Sequence, residues 1–247
     1  MPLCLDSAAC SAGERLETGF PIFAVPGTDG KDTGSAMPGI QRVAASQLPT
    51  RYGEFHMIVY RSAGGLEHVA LLACPTDRRD RRRPALVRVH SECITGDAFG
   101  SARCDCGQQL DASLRYLQRQ GSGILLYLRQ EGRGIGLGNK IRAYALQDRG
   151  YDTVEANLAL GLPEDARDYA EAAAMLADLG IRQVHLLTNN PAKIAGLERH
   201  GIVVVDRIPL EVASNSHNAR YLSTKRDKMG HLLTTPSPPA SSWERHG

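Results

Sequence analysis

A chain of 247 residues, 42% hydrophobic and 23% charged, has the makeup of a soluble globular protein with a sizeable core, and its length suits one large domain or one and a half ordinary ones. A formal net charge of +2 does not point to a nucleic-acid or membrane-surface binder, so any attraction to an anionic ligand must be local. No apolar run approaches the ~20 residues that span a bilayer, and the opening MPLCLDSAACSAGERL lacks a basic start and a continuous apolar stretch, which predicts a cytoplasmic protein.

Residues 1–38 are rich in Gly, Pro, Ser, Thr and Asp without periodicity, which predicts a flexible N-terminal extension, with Phe20–Val25 as a marginal edge strand. The folded body is expected to begin near Ile40. Strand-like runs Glu54–Arg61 and Glu67–Cys74 flank the turn signal SAGG, and TDRRDRRR between Pro75 and Pro84 reads as a solvated loop or, less simply, a phosphate-binding one. Ala85–His90 is a short apolar strand leading to the first of three clustered cysteines.

A helix is expected over Gln108–Gln120, with Leu110, Leu114 and Leu117 on one face and Gly121 as its stop, followed by a buried strand, Gly123–Arg129. The glycine-rich QEGRGIGLGNK precedes a helix over Asn139–Asp148. Another helix is expected over Asp165–Leu179, placing Asp165 and Arg167 in its first turn, where a carboxylate is favoured. Ile181–Leu187 and Ile202–Ile208 read as strands around a helix capped by Asn190 with Pro191 at its first position. Strand–helix alternation with leading hairpin strands predicts an α/β class: a mixed sheet sandwiched between helices, α/β/α. Thr234–Gly247 reads as a disordered polar tail.

Of the six cysteines, Cys4, Cys10 and Cys74 read as ordinary thiols. Cys93 is followed after ten residues by Cys104 and after one more by Cys106. Three thiolates this close in a reducing compartment suit a zinc ion with three protein ligands and a fourth position left for water. Three inert thiols, or a closed zinc knot completed by His90, fit the same spacing.

The loop Glu131–Lys140 sits between strand and helix, a common phosphate site, yet matches neither G-x-G-x-x-G nor G-x-x-x-x-G-K-[ST]. It carries Glu131, Arg133 and Lys140, and a carboxylate such as Glu131 suits the N1–H and 2-amino edge of guanine. Thr188 and Lys193 flank the C-terminal end of a strand, the usual ligand edge of an α/β sheet.

These features fall within RVHSEC, RCDCG, RQEGRGIGLGNKIRAYALQDRGYDTVEAN, LLTNNPAK and TKRDKMGHLL, which together resemble the GTP cyclohydrolase II family from about Ile40 to Leu233. Nothing in the chain resembles the dihydroxybutanone-phosphate synthase domain fused to some relatives. The resemblance implies opening of the guanine imidazole ring of GTP with release of formate and pyrophosphate, leaving 2,5-diamino-6-ribosylamino-4(3H)-pyrimidinone 5′-phosphate as the first step of riboflavin synthesis. It implies one zinc per subunit on Cys93, Cys104 and Cys106, magnesium on the triphosphate, and a homodimer. Arg88, Val89, His90, Ser91, Glu92, Gln109, Glu131, Gly132, Arg133, Thr153, Thr188 and Lys193 match the GTP contacts. Asp165 matches the proposed proton acceptor, Arg167 the group proposed to attack the α-phosphate, and Tyr144 a tyrosine of the ring-opening step. The expected catalytic domain is 39–233. Two other functions compete: partial hydrolysis of GTP to a formylated or GMP product, and a non-catalytic zinc- and nucleotide-binding regulator, for which aromatics at 5% and near-balanced charge show no basic aromatic face.

Overall fold

The computed structural model describes residues 39–73, 83–163, 165–212, 218–227 and 229–233. The expected N-terminal extension, the Phe20–Val25 strand, most of the TDRRDRRR loop and the C-terminal tail lie outside the described residues.

Seven strands form one mixed sheet: β1 (Ile40–Thr50), β2 (Gly53–Ser62), β3 (Glu67–Leu72), β4 (Ala85–Ser91), β5 (Ile124–Leu128), β6 (Gln183–Leu187) and β7 (Val203–Ile208), in the spatial order β1-β2-β3-β5-β4-β6-β7. The first three run as an antiparallel meander, and β3 pairs antiparallel with β5. From β5 onward every pairing is parallel. The change of direction has a local cause. β2 and β3 need only the tight turn at SAGG, where Ser62 N–H donates to Leu66 O at 2.9 Å, whereas parallel neighbours need a crossover helix.

Burial follows the pairing. β3 alternates, burying His68, Ala70 and Leu72, while β5 is buried along nearly its whole length because helices cover both of its faces. On one face, α5 (Ala170–Asp178) and α6 (Pro191–Arg199) pack Ala172, Met175, Leu176 and Leu197 against Tyr60, Val87, Val89, Ile124, Leu126 and Leu128. On the other, α2 (Cys106–Arg119) sets Leu114 and Leu117 against Phe55 and Leu125. The expected α/β/α sandwich is the observed fold.

Four further helices lie among the described residues: α1 (Ile94–Asp97), α3 (Leu137–Gln147), α4 (Thr153–Ala159) and α7 (Ala219–Asp227). α4 is absent from the expectation although its signal is in the sequence. Asp152 accepts from Val154 and Glu155 N–H, and Glu155 reaches back to Asp152 N–H at 2.9 Å, a capping box. β1 gives no such signal, because most of its side chains are exposed and show no alternation.

The helix expected from Asp165 is a correction. α5 begins only at Ala170, so Asp165 and Arg167 do not occupy its first turn. The N–H of Ala166 is committed elsewhere, donating to Arg133 O at 3.0 Å, and Asp168 takes over the helix entrance by accepting from Tyr169 and Ala170 N–H. Asp168 satisfies N–H groups at the entrance of α5 that have no partner within the helix, which sets its start there.

Candidate active site

The C-terminal ends of the three adjacent parallel strands β5, β4 and β6 open onto one cleft. β4 delivers the segment His90–Cys93, β5 delivers Gln130 and the 3-10 turn Glu131–Gly134, and β6 delivers Thr188, Asn189 and Asn190. This is the edge where an α/β sheet receives ligands.

Cys93 precedes α1 and Cys106 opens α2, with Cys104 in the loop between them. All three sulfurs lie within 4.8 Å of one another, and Cys93 Sγ and Cys104 Sγ are 3.7 Å apart. A tetrahedral metal ~2.3 Å from each thiolate requires sulfurs ~3.8 Å apart, so the donor set fits a soft metal such as zinc. No fourth His, Cys or carboxylate joins the group among the described residues. His90 is turned away from it: Nε2 donates to Asp97 at 3.1 Å, and the ring stacks on Tyr127. Asp97 also accepts from Cys93 N–H at 3.0 Å and Tyr127 OH at 2.9 Å, which fixes the backbone that carries the first sulfur.

Two glycines let the cysteine segments approach. A Cβ on Gly107 would stand 2.2 Å from Gly96 O, and one on Gly96 would meet Cys104 Sγ at 2.9 Å. Hydrogen bonds from Cys104 and Cys106, then Lys140, draw the Cys93 thiol well below its usual range against the opposing effect of burial. Hydrogen bonds to the Cys104 and Cys93 sulfurs, with burial, push Cys106 up. Three thiolates this close carry more charge than the Lys140 ammonium beside Cys93 offsets, and a divalent cation would supply the missing charge.

Lys140 Nζ lies 3.0 Å from Cys93 Sγ and 2.8 Å from Glu131 Oε1. Burial alone would lower it, but Glu131 and Cys93 outweigh burial and hold its ammonium charged. Glu131 also accepts from Ile94 N–H at 2.6 Å and Gly132 N–H at 2.8 Å. Its carboxylate therefore ties the cysteine segment to the glycine turn, and both oxygens already hold protein donors. In that turn Arg133 has φ +62°, a left-handed conformation rare for a side-chain-bearing residue, while Gly134, at φ +88°, lies so close to Ala166 that a Cβ would meet its carbonyl at 3.1 Å. Tyr144 stands one helical turn after Lys140 and also faces the cleft.

The opposite wall is cationic. Arg88, buried in β4, donates to Leu187 O at 2.9 Å and Gln109 Oε1 at 2.7 Å, and burial brings it down to about 10, still charged at neutral pH. Gln109 in turn donates to Asp105, which accepts from Lys225 Nζ at 2.6 Å. Lys193, in the first turn of α6, donates to Val89 O at 2.6 Å. No described carboxylate forms an ion pair with it, and burial, then Arg88, Arg167 and Lys225, push it well below the lysine range. Arg167 grips Asp165 in a fork of 2.5–3.1 Å, and this pair holds Asp165 below the usual carboxylate value although burial acts the other way.

Among the expected site residues, all but two line the cleft. Val89 turns its side chain into the core and offers only its carbonyl, while Asp165 stands behind Arg167. The cleft also takes in Asn190, expected only as a helix cap, and Asn157, Asn189, Lys225 and His231, for which the sequence suggested no role. Asn157 was hidden by the unread capping box, and the last two by the distance along the chain between TKRDKMGH and the cysteines.

The family model described as GTP cyclohydrolase II matches residues 41–209. The chain belongs to the GTP cyclohydrolase II family. Similar relatives include the riboflavin biosynthesis protein RibBA of Mycobacterium marinum, 57% identical over 201 residues, which are 79% of this chain and 47% of that protein. The RibBA of Mycobacterium tuberculosis is 57% identical over 200 residues, 78% of this chain and 46% of that protein. The chain thus spans about half the length of the curated relatives it matches. A two-domain 3,4-dihydroxy-2-butanone 4-phosphate synthase from A. baumannii overlays with a TM-score of 0.37 at 19% identity, covering 72% of this chain and 41% of that one. As a member of the GTP cyclohydrolase II family, the chain has its cysteine triad and its strand-end loops inside the matched region.

Proposed function

We propose that residues 39–233 form a catalytic domain that opens the guanine imidazole ring of GTP. Formate and pyrophosphate leave, and 2,5-diamino-6-ribosylamino-4(3H)-pyrimidinone 5′-phosphate remains, the first step of riboflavin biosynthesis. The observation that carries this reading is a thiolate triad opening into a cleft whose other walls are cationic, in a chain of this family.

Cys93, Cys104 and Cys106 would hold one zinc ion per subunit. When bound, it would act as a Lewis acid at the purine imidazole carbon and bring the pKa of a water toward neutrality. The protein supplies the rest. Tyr144, which lines the same cleft as the triad, donates a proton to the departing ring nitrogen. Arg88, Val89 through its backbone, His90, Ser91, Glu92, Gln109, Gly132, Thr153 and Thr188 border the nucleotide, while Arg133 and Lys193 meet the triphosphate and its magnesium, offsetting charge as pyrophosphate leaves. Arg167 keeps its proton at any ordinary pH and is engaged by Asp165, which favours an electrostatic clamp on the α-phosphate over a nucleophile. Asp165 accepts a proton only if that fork loosens.

Glu131 can read guanine only by giving up a donor it already holds, so its part is open to a direct test. If it reads the base, Glu131→Gln narrows the preference for GTP over ITP, which lacks the 2-amino group. If it only tethers, the preference stays and the melting temperature falls.

The same reading places a homodimer in the cytoplasm. No helix among the described residues is long and apolar enough to cross a membrane. Incubation with GTP and magnesium, following formate and pyrophosphate together, tests the reaction. Equal yields abolished by a chelator and restored by zinc are expected, whereas unequal yields would replace the proposal with partial hydrolysis.

A further inference from the structure

The segment TKRDKMGHLL has no role in the function above, yet part of it stands in the cleft. α7 buries Leu222, Thr224 and Lys225. Two bonds anchor the segment: Lys225 Nζ donates to Asp105, between two of the cysteines, and Leu232 N–H donates to Asn189 O at 2.9 Å, in the loop after β6. His231 N–H closes the bend on Lys225 O at 3.0 Å. Pinned at both ends, the bend places the His231 side chain on the cleft wall.

Four basic side chains, Lys225, Arg167, Lys193 and Arg133, line the same cleft as that imidazole. Burial, and then Lys225, Arg167, Lys193 and Arg133, push it down to about 3, so the ring is neutral in the free protein. No described protein group hydrogen-bonds the ring. A neutral imidazole carries one N–H donor, and cations lining one cleft concentrate anions there. A polyphosphate satisfies both features: its oxygens accept the ring N–H, and its charge relieves the repulsion among the cations. A monoanion would leave most of that repulsion in place.

We infer that His231 contacts the triphosphate of GTP, with Lys225 as the residue that positions it. The inference rests on the GTP reading above, but pyrophosphate binding tests it without turnover. Full-length protein, His231→Ala and His231→Gln are titrated calorimetrically with GTP, with inorganic pyrophosphate and with guanosine, in magnesium, and their melting temperatures are compared. His231→Ala is expected to weaken GTP and pyrophosphate about tenfold, as for loss of one hydrogen bond to a charged group, and to leave guanosine unchanged. His231→Gln, which keeps an N–H donor and much of the volume, recovers part of the loss. Unchanged pyrophosphate affinity in His231→Ala overturns the inference, as does a parallel loss on guanosine. A full-length protein that binds pyrophosphate but yields no formate refutes the proposed reaction and leaves this site standing. One that binds neither GTP nor pyrophosphate refutes both.

Discussion

Lys193 shows how a single buried charge trades stability against binding. Its ammonium is 6% exposed, rests on one carbonyl and faces Arg88, Arg167 and Lys225. Its folded pKa is lowered, so between that value and the ordinary lysine value near ~10.4 the unfolded chain holds a proton that the folded chain does not. Stability therefore rises with pH across that window. Lys193→Met, similar in length and uncharged, is expected to raise the melting temperature of the free protein by a few degrees at pH 7, flatten its rise toward pH 9, and weaken GTP at least ~10-fold. Thermal melts at both pH values and a GTP titration check it. Cys104→Ser is the complementary case. It should fold with only a modest loss of stability, yet lose bound metal by elemental analysis and nearly all formate release. Undiminished formate release from such a variant would refute the zinc assignment.

Between elements, the decisive contact is glycine on glycine. α1 is a single turn and has no side-chain cap, so its position depends on Asp97, on Glu131 and on how closely α2 approaches. With a Cβ on Gly107 only 2.2 Å from Gly96 O, Gly107→Ala must push the two segments apart, and the sulfurs they carry go with them. Overpacking of this kind costs ~1–3 kcal/mol. The expected result is a lower melting temperature together with weaker metal binding in a competition titration, and a smaller loss of pyrophosphate affinity, because Asp105 and Gln109 on either side of Gly107 hold Lys225 and Arg88. The Asp165 segment makes the same point in reverse. It was expected to be helical, but the Ala166–Arg133 hydrogen bond and the contact with Gly134 hold it against the glycine turn, where Arg167 can face the cleft.

At the scale of the whole molecule, the sheet divides the labour. The antiparallel half, β1 to β3, is bound into the core, with Tyr60 OH donating to Asp178 at 2.7 Å across to α5, while the strand ends β4, β5 and β6 carry the chemistry. The triad draws ligands from both sides of α1, and Lys140 of α3 and Lys225 of α7 reach toward it, so metal occupancy should be felt through much of the fold. Metal binding only the folded state stabilises it by mass action, ~3 kcal/mol at a hundredfold excess over Kd. Chelation should therefore lower the melting temperature by several degrees, and zinc should restore it. An unchanged melting temperature would mean that the cysteines hold no metal in the folded protein.

The chain itself determined the α/β/α class, because strand and helix periodicities, the SAGG turn and the Asn190–Pro191 cap are local signals set by neighbouring residues. Three cysteines within fourteen positions likewise announce a metal site, and long motifs carry the family. What only the tertiary structure decided depends on groups far apart in the chain. His90 serves Asp97 and not the sulfurs, Glu131 is a tether, Asp165 is held out of a helix, and Lys225 and His231 come to the cleft from more than a hundred residues beyond the triad. Hydrogen-bond competition and burial settle each of these, and neither has a period or a spacing that a sequence can display.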